Sequence, residues 1–534
     1  EHKIGTERKK SIALNQSLQV EPLRDIILRS VIRSRHNKFP EASFEKPLTF
    51  TTISATFKDN PDFKYLRLAA ILFDKPCLGS LLDSELADET LVKRIETGVR
   101  KKEMTRWMRQ YVNDLSHPKT ADTNEEIFGS VCAGDVKRAV ELATASKNLH
   151  LASLMTLLDA NDQTVRYLAS GQIESWETSN SLAHIPDAIV KVFKVLSGDF
   201  AYFESSLSDE VLLSLHLNYG NPAETVEDIF KDHFSDSKMG QLGEMLQIHS
   251  AMQTKGSLDA GSLLSRSTLG NEFKWLMLQV LKLSDMDCSL SLDSVALSYG
   301  DELEASGLWK EAVFVFSTMH DEALVEEKIR SAVLSNATDF AHDGVDENSS
   351  LVKEYKVPLG LLHEACAIGN KRKGDMWGCA ESYVTAGLWK DAHDTICDEL
   401  GPSVVISEDA VLLARLESII SCFPEEGGIV PNWNQGAGFY AKYLDIMKAA
   451  EEHRHVETND IVFLLENAAQ VKTKKTFKQN VASKIVSKQI AELAIDHRDD
   501  IPDVPRKIQA LAVGENEKVY FESRLHLCEV HLMS

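Results

Sequence analysis

The sequence is poor in residues that interrupt or cross-link a fold. Its 534 residues include only 14 Pro and 27 Gly, which excludes a collagenous or low-complexity chain and permits many helices. No apolar run approaches the roughly eighteen residues needed to cross a bilayer, so we expect no direct membrane insertion. The eight cysteines form neither a CxxC pair nor a regular framework, which predicts reduced, buried thiols.

Motifs for catalysis and metal binding are also scarce. There is no HExxH, GxSxG or GxGxxG pattern. The segment Gly369 to Gly374, GNKRKG, has the spacing of a phosphate loop, but Asp375 and Met376 stand where Lys and Ser or Thr would be needed. Three potential metal ligands lack a fourth at suitable spacing: His526, Cys528 and His531. We therefore expect no enzymatic activity, no cofactor and no metal.

Positive charge is in the minority. The sequence has 58 basic and 81 acidic side chains, a formal net charge of −23, and such a chain repels phosphate backbones, which argues against nucleic acid as a partner. Basic residues gather near the start (Lys3, Arg8, Lys9, Lys10, Arg24, Arg29, Arg33, Arg35) and again later (Lys472, Lys474, Lys475, Lys478, Lys484, Lys488). The second group has only Phe477 for stacking, so a solvated helix face or a dock for an acidic partner is favoured over a nucleic-acid groove.

What the sequence does contain is helical periodicity. Apolar residues recur at i, i+3, i+4 and i+7 in five stretches, which predicts amphipathic helices and an all-α fold. The stretches are Val136 to Ala143, Leu151 to Leu158, Ile189 to Phe200, Phe273 to Leu281, and Ile461 to Ala469.

One short unit is repeated. ASGLWKEA at Ala305 to Ala312 returns eighty residues later as TAGLWKDA at Thr385 to Ala392, with a weaker copy, CAGDVKRA, at Cys132 to Ala139. In each strong copy a Gly is expected to end one helix in a left-handed conformation, and the Trp and Ala share a face of the next helix. We interpret six residues as structural: Gly307, Trp309, Ala312, Gly387, Trp389 and Ala392.

Three segments are predicted to depart from plain helix packing. The Thr-rich stretch Leu48 to Phe57 is predicted to be β-like. The basic stretch Ile26 to Arg35 before it is predicted to be helical. The polar stretch Ser235 to Gly270 is predicted to include a loose loop.

Several motifs, taken in order, resemble a known family. They are KKEMTRWM around Trp107, Ile127 to Leu158, SGQIESW ending at Trp176, VFKVLSGDF at Val192 to Phe200, YGDELEASGLWKEAVFVF from Tyr299, VPLGLLHEACA from Val357 and SYVTAGLWKDAHDTI from Ser382. Between about residues 60 and 450 the chain is similar to scaffold nucleoporins of the nucleoporin ninety-six family. That family is the C-terminal part of a larger autoproteolysed precursor and has a fungal counterpart. The start without Met fits a piece of a longer chain.

The resemblance implies an ancestral coatomer element, an elongated irregular α-solenoid of trunk, crown and tail with a U-turn. On that template we expect five segments. They are an N-terminal extension with a possible β segment at 1–60, an outgoing trunk at 61–118, a crown at 119–270, a returning trunk at 271–402 and a tail at 403–534.

The function implied is assembly of the Y-shaped complex that coats the nuclear envelope at the pore, which supports mRNA export and protein transport. The crown would bind the crown of a second coatomer-element nucleoporin, and the tail would join two arm nucleoporins. An N-terminal segment would complete a seven-bladed β-propeller shared with the endoplasmic-reticulum coat. Since that needs three strands and the sequence shows one β-like stretch, we expect the blade to precede Glu1.

Crown binding requires exposed apolar residues. The candidates are Ile189, Val192, Phe193, Leu196, Leu213 and Leu217, although an ordinary core stripe explains any one of them more simply. If Phe193 is at the interface, Phe193→Asp weakens crown pairing and leaves the chain folded; if it unfolds the chain, Phe193 belongs to the core. A vesicle-coat element, which would normally carry a Pro-rich segment, and a helical-repeat peptide-binding adaptor, which would show regular repeats, remain as alternatives.

Overall fold

A computed structural model describes most of the chain. The described residues are 23, 26–27, 30–34, 39–43, 48–56, 64–76, 89–115, 122–158, 163–237, 239–253, 260–282, 289–340, 345, 349–424, 430–468 and 476–532. They form two compact units, one of residues 1–31 and 44–302 and the other of residues 32–43 and 303–534.

The described part of the first unit consists mainly of helices. Its helices are α1 (Phe50–Thr56), α2 (Lys64–Phe73), α3 (Glu89–Leu115), α4 (Thr123–Cys132), α5 (Val136–Ala145), α6 (Leu149–Met155), α7 (Gln163–Thr178), α8 (Asp187–Ser197), α9 (Asp209–Tyr219), α10 (Val226–His233), α11 (Gly240–Gln253), α12 (Ala260–Arg266) and α13 (Asn271–Lys282), and α14 (Ser289–Ala305) crosses into the second unit. Four of the five predicted periodic stretches lie here and each contains a helix, as predicted.

Helices of the first unit pack first on their sequence neighbours and then on earlier helices. The chain runs α4 on α5, α5 on α6 and α7 on α8; then α9 and α10 return to α3, and α11 returns to α2. The chain therefore reverses direction within this unit, and the returning helices bury the apolar faces of the outgoing ones.

Polar contacts hold this reversal in place. The Nζ of Lys101 on α3 donates hydrogen bonds to the carbonyl oxygens of Asn221 and Glu224, at 2.7 and 2.8 Å, in the turn before α10. Both carbonyls lie in the segment between α9 and α10, outside regular helix, and a lysine from another helix supplies them with a donor. The indole Nε1 of Trp107 donates to the carbonyl of Lys64 at 3.3 Å.

The second unit contains a short two-stranded sheet and further helices. The strands are β1 (Val31–Ser34) and β2 (Pro40–Ser43). The helices are α15 (Trp309–Ser317), α16 (Glu322–Ser335), α17 (Ser350–Lys353), α18 (Leu359–Lys373), α19 (Met376–Ala386), α20 (Trp389–Thr395), α21 (Gly401–Ser407), α22 (Ala410–Ser421), α23 (Ala437–Glu451), α24 (Thr458–Ala468), α25 (Phe477–Asp496), α26 (Val504–Gln509) and α27 (Glu515–Leu532). A π-helical turn, Ile396–Leu400, joins α20 to α21.

Packing in the second unit again follows chain order. Helix α15 packs on α16, α16 on α18, α18 on α19 and α19 on α20. From Ala367 to Phe521 the buried apolar side chains form one cluster, to which α21, α23, α24 and α25 all contribute. Within each unit the described residues are mainly helices that pack on their neighbours in the chain, which agrees with the all-α solenoid class that the sequence predicts.

Both strong copies of the repeated unit have the same backbone geometry. Gly307 and Gly387 have φ of +81° and +73°. The N–H of the following residue returns to the carbonyl five residues earlier, from Leu308 to Leu303 at 2.8 Å and from Leu388 to Tyr383 at 2.9 Å. This pair of features is the Schellman ending, in which a left-handed Gly lets the last helical carbonyls find donors.

The weaker copy has this ending too. Gly134 has φ of +75°, and the N–H of Asp135 donates to the carbonyl of Ser130 at 2.8 Å. The repeated unit therefore ends a helix in the first unit as well as in the second, even where its Trp is replaced by Val136.

The β prediction for Leu48 to Phe57 is wrong. Residues Phe50–Thr56 form helix α1, and Phe57 lies outside the described residues. The Asp74 carboxylate accepts the backbone N–H groups of Phe50 and Thr51 at 3.1 and 2.6 Å. This distant cap satisfies the first turn and overrides the β propensity of Thr.

One neighbouring prediction also needs correction. Within the stretch Ile26 to Arg35, predicted to be helical, Val31–Ser34 is strand β1. The polar stretch Ser235 to Gly270 contains helices α11 and α12. Residues 254–259 between these helices lie outside the described residues, so the loop expected in this stretch stays a prediction.

The remaining sequence motifs have plain structural settings. The GNKRKG segment ends α18, where Gly374 takes φ of +85°. Among the described residues, no three His, Cys, Asp or Glu side chains are arranged to hold a metal ion, and no helix is long and apolar enough to span a membrane. Five thiols are free within the same residues, and burial raises the pKa of Cys132 to about 12.

Candidate partner-binding surfaces

The six residues predicted to bind a crown partner are all buried. Ile189, Val192, Phe193 and Leu196 lie on α8, and Leu213 and Leu217 lie on α9. The expectation that they are exposed is therefore wrong. Contact with a partner through this region stays a prediction.

Their burial has a clear cause. Helix α8 packs against both α7 and α4, and seven of its eleven residues are buried. A helix that is apolar on most of its circumference needs neighbours on several sides. On one of these sides the ring of Phe193 meets Trp176 of α7 edge-on, with ring centroids 4.7 Å apart.

Exposed apolar residues lie instead on α7, the helix that precedes α8 in the chain. Along α7, Val165, Ala169 and Ile173 are buried at intervals of four residues and face α8. Tyr167 and Leu168 fall off this stripe, and their side chains are 78% and 51% exposed. A tyrosine that is exposed in the free chain and carried on a rigid helix is a typical interface anchor.

Other exposed apolar residues accompany these two. Leu149, Leu157 and Leu182 are also exposed, so five of the thirteen exposed large apolar side chains among the described residues lie between 149 and 182. Leu157 lines a small recess together with Arg166 of α7, which places it beside that helix. We call Leu157, Tyr167, Leu168 and the exposed Gly171 the α7 surface.

Arg166, which lies on α7 beside Leu157, is turned inward. The guanidinium of Arg166 donates through Nη2 to the carbonyl of Tyr219 at 2.8 Å, and Nη1 would lie 3.3 Å from a Cβ at Gly198. Gly171 leaves open space, since a Cβ there would meet nothing within 4 Å. The α7 surface is thus apolar at its centre and open to close approach by another helix.

A second exposed apolar group lies on two mutually packed helices of the second unit. Phe477 at the start of α25 is 86% exposed, and Val519 and Tyr520 on α27 are also exposed. A capping box between Thr476 and Gln479 fixes the backbone of the first turn of α25, where Phe477 lies. We call Phe477, Val519 and Tyr520 the tail surface.

Charged side chains of α25 lie beside the tail surface. Lys478 pairs with Glu399 at 3.2 Å, and Gln479 Nε2 donates to the Asp398 side chain at 3.2 Å. Lys484 and Lys488 follow on α25, while the other three lysines of this basic group lie outside the described residues. The basic helix face that the sequence predicts is thus partly neutralised by acids of the same unit.

Sequence reasoning missed Tyr167 and Leu168, although a signal for them existed. Val165, Ala169 and Ile173 define one stripe of α7, and a large aromatic residue two positions from Val165 lies on the other side of the helix. An apolar residue outside its helix's own stripe is the pattern that indicates an interface.

Comparison with known proteins identifies the family and the relatives that the chain is similar to. The family model of nuclear protein 96 matches residues 125–241 and 241–369. Nucleoporin NUP145 of Saccharomyces cerevisiae is 24% identical over 509 residues, which cover 91% of this chain and 37% of that protein. Nuclear pore complex protein Nup98-Nup96 of Caenorhabditis elegans is 20% identical over 450 residues, covering 79% of this chain and 26% of that protein.

A third relative, nucleoporin nup189 of Schizosaccharomyces pombe, is 24% identical over 438 residues, covering 71% of this chain and 24% of that protein. The chain thus spans between about a quarter and just over a third of the length of these relatives.

These relatives are nucleoporins and nuclear pore complex proteins, and not enzymes. Together with the family-model match over residues 125–369, they support the chain as a member of the nuclear protein 96 family.

Proposed function

We propose that this chain is a scaffold subunit of the Y-shaped complex that coats the nuclear envelope at the pore. In this role it binds other subunits through two separate surfaces and supports mRNA export and protein transport by keeping the pore assembled. It performs no chemistry itself.

The α7 surface carries this proposal. It lies in the expected crown at 119–270 and within the part of the chain that matches the family model. Its partner is the crown of a second coatomer-element nucleoporin, which would cover Tyr167 and Leu168. A specific interface of standard size buries about 800 Å² on each partner, so residues around the α7 surface must also take part.

The tail surface supports a second contact. It lies in the expected tail at 403–534, where the resemblance implies a joint with two arm nucleoporins. Phe477 and Tyr520 provide aromatic anchors, and Lys484 and Lys488 provide positive charge for an acidic partner. The two surfaces belong to different units, so each contact can be lost without the other.

Light scattering after size exclusion tests the proposal. The chain is mixed in turn with the crown-bearing nucleoporin, with the two arm nucleoporins and with the seven-bladed propeller. Stoichiometric complexes with the crown and arm partners are expected. The propeller mixture tests separately whether strands β1 and β2 take part in completing a blade.

The outcome also decides between the alternatives. A chain that stays monomeric with all of these partners does not have the proposed role, and a peptide-binding adaptor becomes the better interpretation. A chain that binds endoplasmic-reticulum coat subunits in preference to the crown nucleoporin would instead be a vesicle-coat element.

A further inference from the structure

The first unit contains a cavity that the scaffold role does not use. Its volume is about 180 Å³. It is walled by helices α2, α11, α13 and α14 and by two residues near the N-terminus. Its polar and aromatic lining includes the side chains of Tyr65, Glu272, Phe273, Trp275 and Tyr299.

Glu272 is the acidic group of this cavity. Burial, together with the charge of nearby Glu302, raises the pKa of Glu272 to about 7. Glu302 itself accepts a hydrogen bond from Asn271 Nδ2 at 2.7 Å. Among the described residues, Glu272 has neither an ion pair nor a hydrogen bond. Glu272 is half-buried, and a partly desolvated carboxylate without a cation is destabilising, so this group gains from any ligand that brings positive charge.

Two described lysines lie next to lining residues in the sequence, and both are engaged elsewhere. The Nζ of Lys64 lies 5.2 Å from the ring centroids of both Tyr65 and Tyr111. The Nζ of the buried Lys274 donates to the carbonyl of Ser265 at 3.2 Å. Neither lysine pairs with Glu272.

Aromatic rings supply the rest of the cavity wall. Trp275 and Tyr299 lie with ring centroids 5.8 Å apart, and Tyr65 and Phe273 complete the aromatic part of the wall. Aromatic faces attract cations, and the planar guanidinium both stacks on rings and donates to carboxylates. An ammonium group is more strongly hydrated and cannot stack, so this wall suits arginine better than lysine.

The volume limits the ligand to a single side chain. Sites for drug-sized molecules occupy about 300 to 1,000 Å³, and this cavity is well below that range. We propose that the cavity formed by Tyr65, Glu272, Trp275 and Tyr299 binds the arginine side chain of a docked peptide segment. The two acids make the cavity unfavourable for free arginine, whose own carboxylate would be repelled.

Saturation-transfer NMR on the full chain tests this site. The probes are acetyl-Ala-Arg-Ala-amide, its lysine and citrulline counterparts, and free L-arginine. Citrulline keeps the shape of arginine and removes its charge. The arginine peptide is expected to bind about tenfold or more tightly than the citrulline peptide, with the lysine peptide and free arginine also weaker.

A variant without the carboxylate charge provides the second part of the experiment. Glu272→Gln is expected to weaken the arginine peptide by a similar factor and to leave the citrulline peptide unchanged. The matched control is Glu174→Gln, an equal change of charge at an exposed position on α7, which should alter neither. Equal binding of arginine and citrulline peptides by the unmodified chain, or an unaltered affinity in Glu272→Gln, would overturn the proposal. None of these measurements involves a pore subunit, so failure here leaves the scaffold proposal standing.

Discussion

The rings of Trp176 and Phe193 meet edge-on with centroids 4.7 Å apart, and this contact joins α7 to α8. It divides α7 into an inner side, which is part of the core, and an outer side that carries Tyr167. Aromatic pairs in this geometry stabilise by about 0.5 to 1.5 kcal/mol beyond their buried area. The contact therefore fixes which side of α7 a partner can reach.

Phe193→Asp is expected to unfold the first unit rather than to weaken pairing alone. Removing a buried Phe costs about 3 to 5 kcal/mol, and burying an unpaired carboxylate adds to this. Thermal unfolding followed by circular dichroism measures the loss, with Tyr167→Asp as the exposed control. A Phe193→Asp chain as stable as the unmodified one would restore Phe193 as an interface residue.

Tyr167→Ala and Tyr520→Ala are expected to act on different partners. Both side chains are exposed, so each change should alter the free energy of unfolding by no more than about 0.5 kcal/mol. Loss of an interface tyrosine typically costs about 1 to 2 kcal/mol of binding, or roughly tenfold in Kd. Tyr167→Ala should weaken only the crown partner and Tyr520→Ala only the arm partners, as measured by calorimetric titration.

Each variant is the other's control. If both variants weaken the same partner, or neither weakens any, the assignment of the two surfaces is wrong even though the family membership stands.

Two Gly→Ala changes separate backbone strain from steric collision. Gly387 and Gly134 both have positive φ, but a Cβ at Gly387 meets nothing within 4 Å, whereas one at Gly134 lies 2.5 Å from Asn218 Oδ1. Gly387→Ala should cost about 1 kcal/mol for the left-handed conformation alone. Gly134→Ala should cost more, because Asn218 must move and it also accepts a 2.9 Å hydrogen bond from Arg109 Nε. Urea unfolding compares the two, and equal costs would contradict the collision.

Acid is expected to destabilise the first unit through Glu227. Burial opposes ionisation of this carboxyl, but its hydrogen bond to buried His249 and the charge of that histidine outweigh burial and lower the pKa of Glu227 to about 2. Because the pKa falls on folding, the stabilisation is full above about pH 4.5 and is lost as pH falls from there toward 2. Glu227→Gln should therefore destabilise the chain at pH 7 and make little difference near pH 2, as measured by urea unfolding at each pH.

The helices could be predicted from the sequence, but contacts between distant residues could not. Apolar spacing located α5, α8 and α13, and Gly in the repeated unit located helix ends, because both depend on residues within one or two turns. Helix α1 was missed because its cap, Asp74, is more than twenty positions from Phe50.

The candidate surfaces were harder to predict for the same reason. Apolar spacing identifies a stripe on α8 but not how many neighbours cover it, and α4 covers the side that was expected to be free. The cavity around Glu272 could not be predicted either, since its walls come from helices more than two hundred residues apart in the chain.

Glu272 should give a pH dependence of opposite sign to that of Glu227. Burial and the charge of Glu302 raise the pKa of Glu272 to about 7; the other ionisable side chains that line the cavity are Tyr65 and Tyr299. The folded state therefore favours the protonated carboxyl. The ionised Glu272 carboxylate destabilises the folded chain. This destabilisation is absent below about pH 4.5, grows between there and pH 7, and is complete above that.

Glu272→Gln should thus stabilise the chain at pH 8, by about 1 to 3 kcal/mol, and have little effect at pH 4.5, as measured by urea unfolding with Glu174→Gln as control. A stabilisation that is equal at both pH values would mean that the amide simply packs better, and that Glu272 is not held as an unpaired acid.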